Sequence, residues 1–472
     1  MRNLTLLTDL YQLTMMQGYI RENKQERAVF DLYFRAVADF SAYALACGLE
    51  TALDYIENLR FTHDDIAYLW SQRLFDEEFL AYLKSFCFTG DIDAMPEGTV
   101  CFPGEPLLRV TAPLPQAQLL ETALLNIINH QTLIATKASR VVHAAAGGQV
   151  LEFGLRRAQG PDAGLYGSRA SIIGGCVATS NVLAGRMFDV EVSGTHAHSW
   201  VMSFDSELEA FRAYARAFPK NCLLLVDTYD SIKSGIPNAI KVFEELRASG
   251  REPVGIRLDS GDLAYLSKRA RIMLDEAGFP DTRIVASGDL DEDVIWDLRA
   301  QGARIDTWGV GTRLITSRDH PALGGVYKLA ALEKEGRMRP VLKHSDSPNK
   351  RTTPGEKQVW RLYERTSGMA TADLVTLADE TVDDSQPLTI FSPEEPYKRM
   401  TLNDFAAKAL LQPCIVGGKR VLGRVPLTQI ASYAKLQLDT LWEEYRRLRS
   451  PHVYKVDLSQ KLYDLRRELL YG

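Results

Sequence analysis

Three stretches decide the fold: Cys222-Leu223-Leu224-Leu225-Val226-Asp227, Pro253-Val254-Gly255-Ile256-Arg257-Leu258-Asp259 and Arg283-Ile284-Val285-Ala286-Ser287. Each is a short apolar run that closes on a polar or charged residue. Each leads into a helical pattern, and they recur at about 30 residues, the size of one strand–helix unit. Parallel strands buried on both faces read as such near-continuous runs. Outward from these, the same texture returns at Val150-Leu151-Glu152-Phe153-Gly154, Val190-Glu191-Val192-Ser193-Gly194 and Ile305-Asp306-Thr307-Trp308-Gly309-Val310. Between the runs, Ser206-Glu207-Leu208-Glu209 reads as a capping box that opens a helix. Leu263, Leu266, Ala270 and Met273 line one helix face before a stop at Gly278. A series of this length predicts a (β/α) barrel or an open doubly wound sheet. No early glycine-rich dinucleotide fingerprint is present, which favours the barrel.

The flanks have a different texture. Residues 1–120 mix helical patterns with short strands and predict an α+β domain. Ala28 to Phe34 is strand-like, and Thr99 to Phe102 and Leu107 to Thr111 flank the turn Pro103-Gly104-Glu105-Pro106 as a predicted hairpin. The barrel is expected over 121–345. From about residue 331 the chain reads as strand-poor, then helical. Residues 346–472 form a C-terminal segment whose few strands, near Val359 to Tyr363 and Leu388 to Phe391, return to complete the N-terminal domain. The charged, amphipathic stretch from Leu427 to Leu470 reads as a solvated helical tail.

A chain of 472 residues buries a full core without disulfides or metal staples. The net charge of −6 argues against nucleic acid or an anionic membrane surface as the main partner. Cys47, Cys87, Cys101, Cys176, Cys222 and Cys414 form no CxxC and sit at no zinc-site spacing, so they read as reduced packing thiols of a cytoplasmic protein. No apolar run approaches the roughly 20 residues of a membrane span. Met1 to Gly18 lacks a signal-peptide core and reads as part of the mature fold.

A barrel places its chemistry at the C-terminal ends of its strands. The residues there are Arg156 and Arg157; Thr195, His196 and His198; Asp227 and Asp230; Arg257, Asp259 and Asp262; Ser287, Gly288 and Asp289; and Gly309, Gly311, Thr312 and Arg313. Both signs of charge converge with small-residue turns, which suggests recognition of a phosphorylated sugar. Backbone N–H groups of Ser287-Gly288-Asp289 and Gly309-Val310-Gly311-Thr312 can face an anion. Asp259 and Asp289 suit ribose hydroxyls or magnesium, and Arg156 and Arg257 suit phosphate or carboxylate. His196-Ala197-His198 admits three readings: a metal pair on one strand face, a packed or supporting histidine, or a reactive histidine beside Asp227.

These motifs resemble the nicotinate phosphoribosyltransferase family along nearly the whole chain. The matching segments are Leu6 to Met15, Phe153 to Asp162, Ala178 to Val182, Ser193 to His198, Val226 to Asp230, Gly255 to Asp262, Gly309 to Thr312, Gly324 to Leu329 and Pro354 to Lys357. The resemblance implies an irregular (β/α) barrel with an N-terminal domain completed by later chain. It implies that nicotinate attacks 5-phosphoribosyl 1-diphosphate to give nicotinate mononucleotide and diphosphate, the first step of NAD salvage from nicotinate. It also implies coupling to ATP hydrolysis through a phosphohistidine, with Mg²⁺ carried on the phosphates, and a homodimer with shared active sites. Position by position, Tyr11 of the neighbouring subunit and Phe153 would flank the pyridine ring. Thr195, Arg257 and Ser180 would serve nicotinate, with Ser180 standing where amide-using relatives carry a carboxylate. Arg156 would serve the phosphoribosyl groups. His198 would be phosphorylated, with Asp227 orienting it. Asp259, Gly288, Asp289, Gly311 and Thr312 would bind the sugar phosphate, and Lys343-His344-Ser345 with Lys350 resemble a basic segment near the phosphates. His196 matches no fixed position and has no assigned role. The rival readings are a nicotinamide phosphoribosyltransferase, a metal-dependent barrel hydrolase using His196 and His198, and a catalytically silent scaffold.

Overall fold

The computed structural model describes residues 3–35, 41–344 and 352–471. The chain forms two compact units, Met1–Leu133 with Ala322–Gly472, and Ile134–Pro321.

In the first unit, Arg27–Phe34 is an inner strand of a seven-stranded sheet. It pairs antiparallel with Gly325–Lys334 on one side and Leu108–Pro113 on the other. Beyond these lie Arg337–Pro340 at one edge, and Asp91–Ala94, Gln412–Val416 and Lys419–Arg420 at the other. Ala28, Val29, Phe30, Leu32 and Phe34 are all buried, as befits a strand covered on both faces. Helix Leu10–Arg21 buries Leu13, Met16 and Ile20 at helical spacing and leaves Leu10, Tyr11 and Met15 exposed.

Three sequence expectations fail in this unit. Leu108–Pro113 does not form a hairpin with the strand before it: Val100–Cys101 pairs with Ala44–Leu45 instead. The region after residue 331 is strand-rich. A second sheet orders Phe405–Ala409, Lys357–Glu364, Ala370–Leu377 and Val456–Leu458. Its alternation is disguised because charges face inward: Arg361 pairs with Asp373 with neither side chain exposed, and Lys357 pairs with Asp31 at 2.6 Å. Nor is the stretch from Leu427 a solvated tail, since Ile430, Ala434, Leu441, Tyr454, Leu458 and Leu462 are buried.

The second unit holds six parallel strands: β1 Gln149–Glu152, β2 Ala178–Thr179, β3 Leu223–Leu225, β4 Gly255–Leu258, β5 Arg283–Ser287 and β6 Thr307–Val310. Their order is β2-β1-β6-β5-β4-β3. Ile256, Leu258, Ile284, Val285, Ala286, Trp308 and Val310 are buried, and helices fill the crossovers. The helix Leu263–Glu276 ends as predicted, with Phe279 N–H reaching back to Leu274 O across Gly278.

The stretch 190–194, expected as a strand, supplies only an isolated bridge between Val192 and Thr179. It nonetheless closes the ring. Ser193 N–H donates to Thr179 O in β2, and two residues later the Thr195 hydroxyl donates to Leu223 O on β3. His196 Nε2 then accepts the Leu225 N–H. The barrel is irregular because side chains, not a strand ladder, make its last seam.

Candidate active site

The parallel register sets the C-terminal ends of β1–β6 on one side, so the residues that follow them converge. At the ends of β3, β4 and β5 the side chains form one network. Arg257, inside β4, donates its Nε–H to Ser287 Oγ at 2.7 Å and an Nη2–H to Asp259 Oδ1 at 2.6 Å. The Ser287 hydroxyl also donates to Asp259 Oδ1. Burial opposes ionisation of Asp259. The Ser287 hydrogen bond and the Arg257 charge outweigh it and hold the carboxyl below its usual range. Asp259 Oδ2 lies 3.9 Å from His198 Nε2.

Asp227 does not orient His198. Its Oδ2 accepts the Asp259 N–H at 2.9 Å and the Ser260 hydroxyl at 2.6 Å, and its Oδ1 is buried without a protein partner. His198 instead shares a hydrogen bond between Nδ1 and Thr228 Oγ1 at 3.1 Å. Thr228 sits one residue past Asp227, so the adjacency was legible while the choice of partner was not. His196 and His198 do not act as a pair: one is 8% exposed and bound to β3, the other opens the short helix His198–Met202. Among the described residues no group of three His, Cys, Asp or Glu side chains could hold a metal ion.

At the end of β1, Phe153 lies with its ring centroid 5.7 Å from the Arg257 guanidinium carbon. Gly309 of β6 makes room for it: a Cβ there would fall 2.6 Å from the ring. The sequence reading missed Glu152, a fully buried carboxylate beside this aromatic. Its Oε2 accepts the hydroxyls of Ser168 at 2.8 Å and Thr179 at 2.6 Å, and its Oε1 accepts the Gly154 N–H. An acid that ends an apolar strand was the available signal. Ser180, just past β2, is half-buried, and its N–H donates to Glu152 O. Thr195 spends its hydroxyl proton on Leu223 O, so its side chain offers a ligand only lone pairs. Arg156 is exposed on the turn Leu155–Arg157 and has no partner among the described residues.

After β5 the chain must turn sharply. Gly288 has φ +93°, and a Cβ there would stand 2.2 Å from Asp259 O, so only glycine fits. Asp289 follows at φ +45°, exposed. Gly311 and Thr312 are half-exposed after β6, beside Arg313, which pairs with the buried Asp291. Tyr11 belongs to the first unit. That unit also contains a cleft of about 1260 Å³ lined by Tyr33, Arg35, Tyr463, Arg466 and Arg467 among others. Lys343 and His344 are exposed, while Ser345 and Lys350 lie outside the described residues.

An α/β barrel whose strand ends carry an arginine–aspartate–histidine network, an aromatic wall and tight small-residue turns defines an enzyme for a small anionic substrate. The comparisons specify which. The description "Nicotinate phosphoribosyltransferase (NAPRTase) family" matches residues 148–366, and that family's N-terminal and C-terminal domains match 6–129 and 356–466. A nicotinate phosphoribosyltransferase of Bacillus subtilis is 47% identical over 97% of this chain and 93% of its own length. The human enzyme is 36% identical over 99% of this chain and 97% of its own. The crystal structure of human nicotinic acid phosphoribosyltransferase superposes with a TM-score of 0.87 at 33% identity, covering 98% of this chain and 99% of that one. The chain belongs to the nicotinate phosphoribosyltransferase family. It is an enzyme of NAD salvage that transfers the phosphoribosyl group of 5-phosphoribosyl 1-diphosphate to nicotinate. The amide, hydrolase and scaffold readings fall away.

Proposed function

We propose that this transfer is coupled to ATP hydrolysis through phosphorylation of His198. The observation that carries the reading is the setting of that ring. With Nδ1–H donated to Thr228, Nε2 is the open nitrogen, and Asp259 3.9 Å away stabilises the positive charge that builds as the ring attacks. The Nε2 lone pair forms the bond to the γ-phosphorus, the bridging P–O bond breaks, and ADP leaves. Water later cleaves the phosphohistidine and releases phosphate. Magnesium, arriving on the phosphates, would neutralise their charge. The buried, unpartnered Asp227 Oδ1 is the oxygen best suited to meet it.

Phe153 would form one wall for the pyridine ring, with Arg257 holding the nicotinate carboxylate near it and Ser180 donating a hydroxyl proton. The turns at Gly288-Asp289 and Gly311-Thr312, with the free Arg156, would receive the phosphoribosyl group. The enzyme would work as a homodimer in the cytoplasm, each Tyr11 completing the partner subunit's pyridine site. Exposure of Leu10, Tyr11 and Met15 on one helix supports a covered N-terminal face. No helix among the described residues is long and apolar enough to cross a membrane.

His198→Ala should abolish nicotinate-dependent ATP hydrolysis and leave only a slow, uncoupled transfer. ATP hydrolysis by this variant in step with product formation would assign the phosphate to another residue.

A further inference from the structure

The seam between β3 and the segment 190–196 holds a residue, His196, that the function proposed above does not use. β3 uses alternate residues for its one ladder. Cys222 O accepts from Gly255, and Val226 N–H donates to Arg257 O, so Leu223 and Leu225 turn their backbone groups to the other edge. An edge left so, inside a closed barrel, exposes an unpaired N–H and C=O. Two consecutive loop side chains fill the role of the missing strand: the Thr195 hydroxyl serves Leu223 O, and His196 Nε2 serves the Leu225 N–H at 3.2 Å.

The His196 ring is built to accept. Burial pulls its pKa down to about 4, so it is neutral at working pH. The proton then sits on Nδ1, which faces Ala197 O at 3.4 Å, and the lone pair is on Nε2. Tyr214 packs edge-on at 4.7 Å between centroids and Phe211 lies at 6.2 Å, so the ring cannot swing away.

The geometry points to His196 as a positioning residue for phosphoribosyl transfer: its bond to Leu225 sets the loop that presents Thr195 and His198 to the substrates. The loop is tied at Ser193 to Thr179, at Thr195 to Leu223, at His196 to Leu225 and at His198 to Thr228. Of the three side-chain ties, the His196 bond is the one made without a hydroxyl. Without it, the stretch between Ser193 and His198 is anchored by hydroxyls alone, and the His198 ring loses its fixed distance from Asp259. The inference rests on His198 and Thr195 acting in the site, as proposed above.

The test uses the purified full-length enzyme with ATP present, and three substitutions. His196→Gln carries an amide oxygen at nearly the reach of Nε2. His196→Leu fills the space without an acceptor, and His196→Asn is polar but too short. Diphosphate release gives kcat and KM, corrected for the folded fraction from near-UV circular dichroism. His196→Leu and His196→Asn should lower kcat at least 30-fold per folded molecule and raise KM for nicotinate several-fold. KM for 5-phosphoribosyl 1-diphosphate, held on the β5 and β6 turns, should stay within about twofold. His196→Gln should recover kcat to within about fivefold of the unmodified enzyme. If His196→Leu does not fold, His196→Asn makes the comparison. Unmodified kcat per folded molecule in the variants lacking an acceptor, or equal loss in His196→Gln, overturns the assignment. His198→Ala, run alongside, judges the phosphohistidine separately: if it stays ATP-coupled that reading falls, and the nicotinate KM of the His196 variants still decides this one.

Discussion

Replacing Gly309 by alanine adds one methyl group at a place where the structure leaves none. The new Cβ would stand 2.6 and 2.7 Å from two carbons of the Phe153 ring and 3.3 Å from the Ser287 Cβ. Carbon atoms pack at about 3.5–4.0 Å, so the ring must retreat by roughly 1 Å. Gly309 is not in the left-handed region, so the backbone itself imposes no strain and the effect is one of space. Overpacking of this kind costs about 1–3 kcal/mol of stability. The functional cost is larger, because a displacement of about 1 Å at a reacting centre can remove about 100-fold in rate. Gly309→Ala should therefore raise KM for nicotinate or lower kcat by about 10- to 100-fold while the protein still folds. The assay is steady-state diphosphate release with varied nicotinate, beside a thermal melt. Adding Phe153→Leu makes room for the methyl group, so the double variant should lose less than the sum of the singles, with a coupling of about 0.5–3 kcal/mol. Unchanged nicotinate kinetics in Gly309→Ala, or strict additivity in the pair, would show that Phe153 is not a wall of the pyridine site.

Three further outcomes are expected. Asp259 has a folded-state pKa below the usual 3.9 or so, so the stability its charge contributes is present above that value and disappears as pH falls through the folded one. Asp259→Asn should cost at least 100-fold in kcat/KM at pH 7, and its melting temperature should approach that of the unmodified enzyme only below about pH 4. Glu105 is the opposite case: burial, then the nearby Asp373 charge, raises its pKa well above the usual range and keeps it neutral in the fold. Stability should then decline as pH rises past the unfolded value of about 4.3. Glu105→Gln should therefore match the unmodified enzyme at pH 5 and exceed it at pH 8 in urea unfolding. Ser180→Asp would set a carboxylate against nicotinate, a repulsion of about 4 kcal/mol at ~4 Å and an effective dielectric of ~20. Its kcat/KM on nicotinate should fall far more than on nicotinamide, and equal losses would remove Ser180 from the specificity site.

The barrel was legible because β4, β5 and β6 are buried on both faces and their apolar runs have nowhere else to go. Their polar termini followed from the rule for parallel strands, and Arg257, Asp259, Ser287 and Gly288 do meet there. The C-terminal strands were not legible, because Lys357 and Arg361 are inward-facing charges satisfied by Asp31 and Asp373, partners hundreds of residues away or on another strand. Alternation rules count such residues as solvent-facing. The turn at Pro103-Gly104 was real, but the strands beside it found partners that local sequence does not name. The same limit applies to His198. Its neighbours are set by side-chain reach at the ends of two strands, and Thr228 is a residue that sequence patterns pass over.

That network also constrains which acid can serve the sugar. A carboxylate offers about four lone-pair sites. Asp259 already gives Oδ1 to both Arg257 and Ser287, and its Oδ2 faces His198. Its Oδ1 is committed to that internal ion pair, while Oδ2, 3.9 Å from the imidazole and outside hydrogen-bond reach of it, keeps its lone pairs. Asp227 braces Asp259 from behind through the Asp259 N–H and Ser260. Asp289 is exposed, sits on the turn that Gly288 makes possible, and accepts no hydrogen bond among the described residues. The three aspartates thus differ in geometry: Asp227 braces Asp259, Asp259 pairs with Arg257 beside His198, and Asp289 is exposed without a partner among the described residues. An acid beside a phosphate would only repel it, so on the reading proposed above the phosphate goes to turn N–H groups and Arg156. On the proposed reading the sugar would be gripped from two chemically opposite sides, hydroxyls by Asp289 and phosphate by donors, which would orient the anomeric carbon toward a pyridine held between Phe153 and Arg257.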